Sequence, residues 1–293
     1  MKTVNDFSNY QILDMANGMK LETWNQVKLL RPDPQIIWTK KNNPDLWHQI
    51  DATYERSNLG GGKWNIQNKK MPTTWQVTYK DLTFNLKLMG FKHTGLFPEQ
   101  AYNWNLIRET IKDAKKQVKV LNLFAYTGAA SIVALKEGAE VVHVDSSRGM
   151  IDWAKENVKT NHLEDKPIRF LVDDVIKFVK REIRRGNKYD IILMDPPSFG
   201  RGSKNEIWNI EKDLYELVEM CTKLLSDDPL LFIINSYSTG LSKTILENIL
   251  NLTVNQKKEG IITSDELGIP MQNSSLILPC GLFARWEKKQ KCQ

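Results

Sequence analysis

From about residue 93 onward the chain alternates short, almost wholly apolar runs with longer stretches whose apolar residues fall three and four apart. The spacing predicts helices over Trp104–Lys116, Ala129–Glu137, Ile151–Asn161, Val175–Arg185 and Lys212–Leu225, and another that Ser242 caps and that runs through Leu250. Leu214, Leu217, Val218, Cys221 and Leu224 form a clean stripe on one of them. Between the helices, Val118–Leu123, Val141–Val144, Ile168–Val172, Asp190–Met194 and Leu230–Ile234 read as buried strands. The stretch Ile261–Trp286 reads as two more, the last being Gly281–Trp286. Alternation of this kind predicts an α/β doubly wound sheet with helices on both faces.

Before residue 93 the pattern is different. Trp, Asn and Pro are frequent and the apolar stretches are short. Gln35–Trp38, Trp47–Ile50 and Trp75–Tyr79 read as strands, and Leu82–Leu88 alternates with period two. Lys80-Asp81 would turn a hairpin between the last two. Gly60-Gly61-Gly62 reads as a flexible loop; without a helix start behind it, it is no phosphate loop. The expected organisation is a small β-rich N-terminal domain over 1–92 and an α/β domain over 93–293.

Composition changes this picture little. Hydrophobic residues make up 41% of 293, enough for a substantial core, and no apolar run reaches the length of a membrane span. The first residues lack the apolar core of a secretory signal. Cys221, Cys280 and Cys292 have no metal-ligand spacing and cannot all pair, so no metal is expected and a reducing cytoplasm is the simplest setting. A net charge of +6 favours an anionic partner such as nucleic acid.

The candidate chemistry sits where predicted strands end. After Asn122-Leu123, the loop Phe124-Ala125-Tyr126-Thr127-Gly128 opens a helix whose N-terminus offers backbone donors and a positive dipole end. One glycine among bulky residues suits a small anion such as an amino-acid carboxylate better than a dinucleotide pyrophosphate, which counts against a nicotinamide dehydrogenase. The next strand ends at Asp145-Ser146, with the acid placed to accept from ribose hydroxyls. The third ends at Asp173-Asp174; one could accept from an adenine amino group, and Asp174 could equally cap the following helix. A carboxylate loop, a ribose acid and an adenine acid on successive strands suit S-adenosylmethionine. The fourth strand ends in Asp195-Pro196-Pro197-Ser198-Phe199, a stiff corner suited to holding a flat, nitrogen-bearing group.

These motifs, in this order, resemble those of class I S-adenosylmethionine-dependent methyltransferases, and the wording is closest to the bacterial 23S ribosomal RNA large-subunit group. The resemblance covers 93–293 and implies a Rossmann-like, seven-stranded methyltransferase sheet. His93-Thr94-Gly95-Leu96-Phe97-Pro98-Glu99-Gln100 resembles the segment that precedes the core in that group, which implies that Phe97 and Gln100 lie near the cofactor. Nothing in 1–92 resembles the RNA-binding PUA module that many relatives carry. By likeness to nitrogen methyltransferases, Asp195 and the Pro196 carbonyl would accept from a base amino group, Pro197 would stiffen the corner and Phe199 would stack on the ring. Relatives that methylate pyrimidine carbon use a cysteine near the fifth strand or the proline motif; here Asn235-Ser236-Tyr237-Ser238 follows that strand. Methylation of a purine nitrogen in ribosomal RNA is therefore expected. The alternatives are a protein or small-molecule acceptor, or a non-catalytic RNA-binding assembly module. Loop 200–205 would form a mobile lid, and Lys177, Lys180, Arg181, Arg184 and Arg185 a basic helical face.

Overall fold

A computed structural model describes residues 1–57, 61–202 and 206–289, and these fall into two compact units. The smaller comprises Lys2–Tyr102 and Gly268–Cys280; the larger comprises Met1, Asn103–Leu267 and the chain from Gly281 on.

The smaller unit holds β1 (Lys2–Thr3), β2 (Tyr10–Ala16), β3 (Met19–Trp24), β4 (Val27–Pro32), β5 (Ala52–Arg56), β6 (Gly62–Ile66), β7 (Thr74–Tyr79) and β8 (Leu82–Lys87). Strands β2 to β6 form one sheet in chain order, and β7 and β8 form a separate hairpin turned at Lys80-Asp81. Of the glycine run, Gly62 opens β6, and Gly60 lies outside the described residues. The expected strands at 35–38 and 47–50 are absent. The first is irregular; of the second, residues 47 and 48 end a 3-10 helix, Pro44–His48, and 49–50 are irregular. Around the second, Asp14 is fully buried and its carboxylate accepts from the backbone N–H groups of Asn42 and Asn43 and from Trp47 Nε1. Those donors are gathered around one acid and are not presented to a neighbouring strand. Glu22 and Arg31 are also buried in this sheet. Their ion pair receives a further hydrogen bond from the Tyr10 hydroxyl at 2.9 Å.

Beyond it the elements are α1 (Ala101–Asp113), β9 (Lys119–Leu123), α2 (Ala129–Lys136), β10 (Glu140–Asp145), α3 (Arg148–Thr160), β11 (Ile168–Val172), α4 (Val175–Arg185), β12 (Ile191–Met194), β13 (Phe199–Arg201), β14 (Ile207–Asn209), α5 (Ile210–Thr222), β15 (Leu231–Ser236), α6 (Lys243–Leu252), α7 (Val254–Lys257), β16 (Gly260–Pro270) and β17 (Ile277–Lys288). The main sheet of the larger unit runs β16-β17-β15-β12-β9-β10-β11. From β15 to β11 every neighbouring pair is parallel, and β17 lies antiparallel to β15. All four residues of β12 are buried, as expected of a parallel strand covered on both faces. Phe178 of α4 and Leu214, Leu217 and Val218 of α5 pack on one face against Leu121, Met194 and Phe232. This is the doubly wound α/β sheet that the alternation predicts, Rossmann-like as the resemblance implies.

Candidate active site

Parallel pairing brings four strand ends to a common edge. Leu123 stands in register with Val144 on one side and Met194 on the other, and Asp145 with Val172. Phe124, Asp145, Asp173 and Asp195 therefore leave the sheet side by side. Backbone bonds lock each exit to its neighbour: Ala125 N–H donates to Val144 O, Asp173 N–H to Asp145 O, and Asp195 N–H to Leu123 O.

The loop after β9 is conformationally costly. Phe124 and Tyr126 have φ of 55° and 52°, and Gly128 has 90°. Left-handed backbone is unfavourable for bulky side chains, and such residues persist only where the surroundings hold them. Here the holders are identifiable. Asp145 Oδ2 accepts from Tyr126 N–H at 2.9 Å and its Oδ1 from Ser147 N–H at 2.8 Å. Asn157 Nδ2 donates to Thr127 O at 3.0 Å. Beneath the loop, Asn122 Nδ2 donates to Ser131 Oγ, which lies 2.9 Å from His143 Nδ1. Burial pushes the His143 imidazole down to about 3, so it is neutral at physiological pH. Burial also raises the Asp145 carboxyl, and the Ser147 and Tyr126 amides only partly offset this.

The residues expected from sequence fall as follows. Phe124, Ala125, Tyr126, Thr127, Gly128, Asp145, Ser146, Asp173 and Asp195 share the strand-end edge, and the Asn122 side chain lies buried below it. Asp174 caps α4, accepting from Lys177 N–H at 2.9 Å, and Asp173 is ion-paired to Arg181. Phe97 and Gln100 lie in the smaller unit, at the start and end of a short 3-10 turn, with Gln100 buried. The segment expected as a lid carries a two-stranded hairpin, β13–β14; residues 203–205 and Cys292 are outside the described residues.

Two side chains and one backbone amide at the proline corner escape sequence reading. Trp208 Nε1 donates to Pro197 O at 2.7 Å, and its ring packs on Phe124 with centroids 4.9 Å apart. Ser238 Oγ donates to Ser198 Oγ at 2.8 Å, and Ile210 N–H to Ser198 O. The indole stands 11 residues beyond Pro197, outside any linear motif; only the hairpin's antiparallel register brings Trp208 back to the corner.

The family model of S-adenosylmethionine-dependent methyltransferases matches residues 62–252. The chain belongs to that family. It is an S-adenosylmethionine-dependent methyltransferase, and S-adenosylmethionine is its cofactor. A crystal structure of the SAM-dependent methyltransferase from Agrobacterium tumefaciens is 35% identical, with a TM-score of 0.92 over 98% of this chain and 93% of that one. Ribosomal RNA large subunit methyltransferase K/L from Shewanella frigidimarina is 37% identical over 145 residues, 49% of this chain and 20% of that protein. The protein of that name from Shewanella baltica OS155 is 32% identical over 190 residues, 64% of this chain and 25% of that protein. This methyltransferase thus matches only about a quarter or less of the length of those curated relatives. Among the described residues no helix is long and apolar enough to cross a membrane, and no group of His, Cys, Asp or Glu could hold a metal.

Proposed function

We propose that this methyltransferase acts on a base of ribosomal RNA, at a purine nitrogen. The observation that carries the reading is the position of the Asp195-Pro196-Pro197 corner, which leaves β12 immediately beside the Phe124–Gly128 loop. The names of the curated relatives support the RNA class, and the net charge of +6 suits it.

When bound, S-adenosylmethionine supplies an electrophilic methyl group on a sulfonium. The residues at the edge fit such a cofactor. The first turn of α2, which the Phe124–Gly128 loop opens, offers amides to a carboxylate, while the loop's own Ala125, Tyr126 and Gly128 amides are engaged within the protein. Each Asp145 oxygen already accepts one amide and keeps a second lone pair for a ribose hydroxyl. Ser146 lies beside it. Asp174 serves α4, and Asp173, whose Oδ2 is taken by Arg181, has its other oxygen for an adenine amino group.

Asp195 and the Pro196 carbonyl accept from the amino group of the target base, which orients its nitrogen lone pair, and Phe199 covers the ring. Orientation of this kind is a large part of what a methyl transfer needs. A covalent cysteine route has little support. Cys221 is fully buried and burial pushes its thiol far up; burial also raises Cys280.

The test is a pair of variants assayed on large-subunit ribosomal RNA lacking its modifications, with products read by nucleoside mass spectrometry. Asp195→Ala is expected to lower kcat about a hundredfold or more with cofactor affinity nearly unchanged. Asp145→Ala is expected to weaken cofactor binding first. A methylated pyrimidine carbon, or equal loss of both functions in Asp195→Ala, would reject the reading.

A further inference from the structure

The β13–β14 hairpin has two unlike faces. Its antiparallel register sets Phe199 opposite Asn209, Gly200 opposite Trp208 and Arg201 opposite Ile207. Directly paired residues share a face and successive ones alternate. Trp208 therefore points inward, 8% exposed, fastened to Pro197 and packed on Phe124. Phe199, Arg201 and Ile207 share the opposite face. Phe199 is 56% and Ile207 64% exposed, and Arg201 is exposed with no acidic partner among the described residues.

Two strands of three residues are not stable alone. The inward anchors, Trp208 and the Ile210–Ser198 backbone bond, account for this hairpin's order without the outward apolar pair. The outward face also begins only four residues beyond Asp195, so an acceptor that reaches the corner has its neighbouring groups over this face.

We infer that the outward face of the hairpin, with Arg201 and Ile207 extending the surface begun by Phe199, grips unpaired nucleotides flanking the target base. This rests on the RNA reading above. Beside the ring that covers the target base, an aliphatic side chain and a guanidinium with no acidic partner among the described residues match a flanking unstacked base joined to a phosphate. A duplex keeps its base faces stacked on one another and offers no ring to Phe199 or Ile207. That no described acid neutralises Arg201 favours RNA over an apolar peptide.

The test compares Arg201→Ala and Ile207→Ser with the parent, using an unmodified large-subunit RNA transcript as acceptor and calorimetry for the cofactor. Each variant is expected to raise KM for RNA about tenfold, in keeping with loss of one stacking or cation contact, with kcat and cofactor affinity close to the parent. Arg201→Ala should also reduce the slope of log affinity against log salt by about one. Unaltered KM in both variants, while the parent methylates RNA, overturns this inference alone. A parent that methylates no RNA and accepts a protein or small molecule overturns the RNA reading and this occupant with it. Cofactor affinity falling in step with the rise in KM would overturn the inference too, by showing that the hairpin serves the fold of the cofactor loop.

Discussion

At Gly128 two demands coincide. The backbone is left-handed, with φ of 90°, and a Cβ built there would lie 3.1 Å from Ala154 Cβ and 3.4 Å from His143 Cε1. The first turn of α2 thus starts where α3 comes close, and Ala154 cannot retreat without moving its helix. Gly128→Ala is expected to cost about 1–2 kcal/mol from the left-handed backbone alone, with crowding in addition. Denaturant unfolding of the purified variant measures this; an unchanged midpoint would mean that the loop relaxes freely. Phe124 and Tyr126 have comparable backbone conformations without glycine's freedom. Their cost is met by the Asp145 carboxylate on Tyr126, by Trp208 on Phe124, and by the backbone bond that ties Ala125 to Val144. The acid placed to receive a ribose therefore also braces the loop placed to receive a carboxylate.

Helix α4 shows how one buried acid can organise an element. Glu182 is fully buried on its inner face and accepts from Tyr189 Oη at 2.6 Å, Asn187 Nδ2 at 2.7 Å and Arg185. Burial alone would raise this carboxyl; the three donors outweigh it and hold it below the usual range. A lowered folded value means stability that is present above the unfolded value, about 4.3 for glutamate, and lost as pH falls through the folded one. Glu182→Gln is therefore expected to flatten the loss of stability below about pH 4.3, read as the acid unfolding midpoint by circular dichroism. Glu182→Ala should cost about 1–3 kcal/mol by stranding the Tyr189 hydroxyl.

The elements of the larger unit are legible in the sequence because parallel strands covered on both faces must be continuous apolar runs, as in β12 and β15. Strands β2 to β4 carry no such signal. They bury Asp14, Glu22 and Arg31, and a register shift between Ile12 and Asp14 breaks the period of two. The same buried Asp14 draws the apolar stretch at Trp47 into a 3-10 turn. At the site, the strand-end acids and the glycine loop can be read because each closes an apolar run. Trp208 cannot, since its partners Pro197 and Phe124 are met only through the pairing of two short strands.

On the scale of the whole molecule, neither compact unit is a single stretch of chain. The smaller one takes in Gly268–Cys280, where Gln272 N–H donates to Ile12 O and Met271 N–H closes a turn onto Leu276 O. Buried Met271 and Leu278 come from that late segment. A fragment ending at residue 102 is expected to lack a cooperative thermal transition, and one in which 268–280 is joined to it by a flexible linker is expected to regain it. Calorimetry of both distinguishes the outcomes; a sharp transition in the short fragment would show that the late segment is dispensable. The discontinuity also bears on biosynthesis. At roughly 5–20 residues per second, ribosomal synthesis leaves on the order of ten to thirty seconds between the emergence of Tyr102 and that of Gly268. During that interval β2 can pair with β3 on one side only, and its other side, where Ile12 O receives Gln272 N–H, stays an open strand edge of the kind that templates pairing between chains.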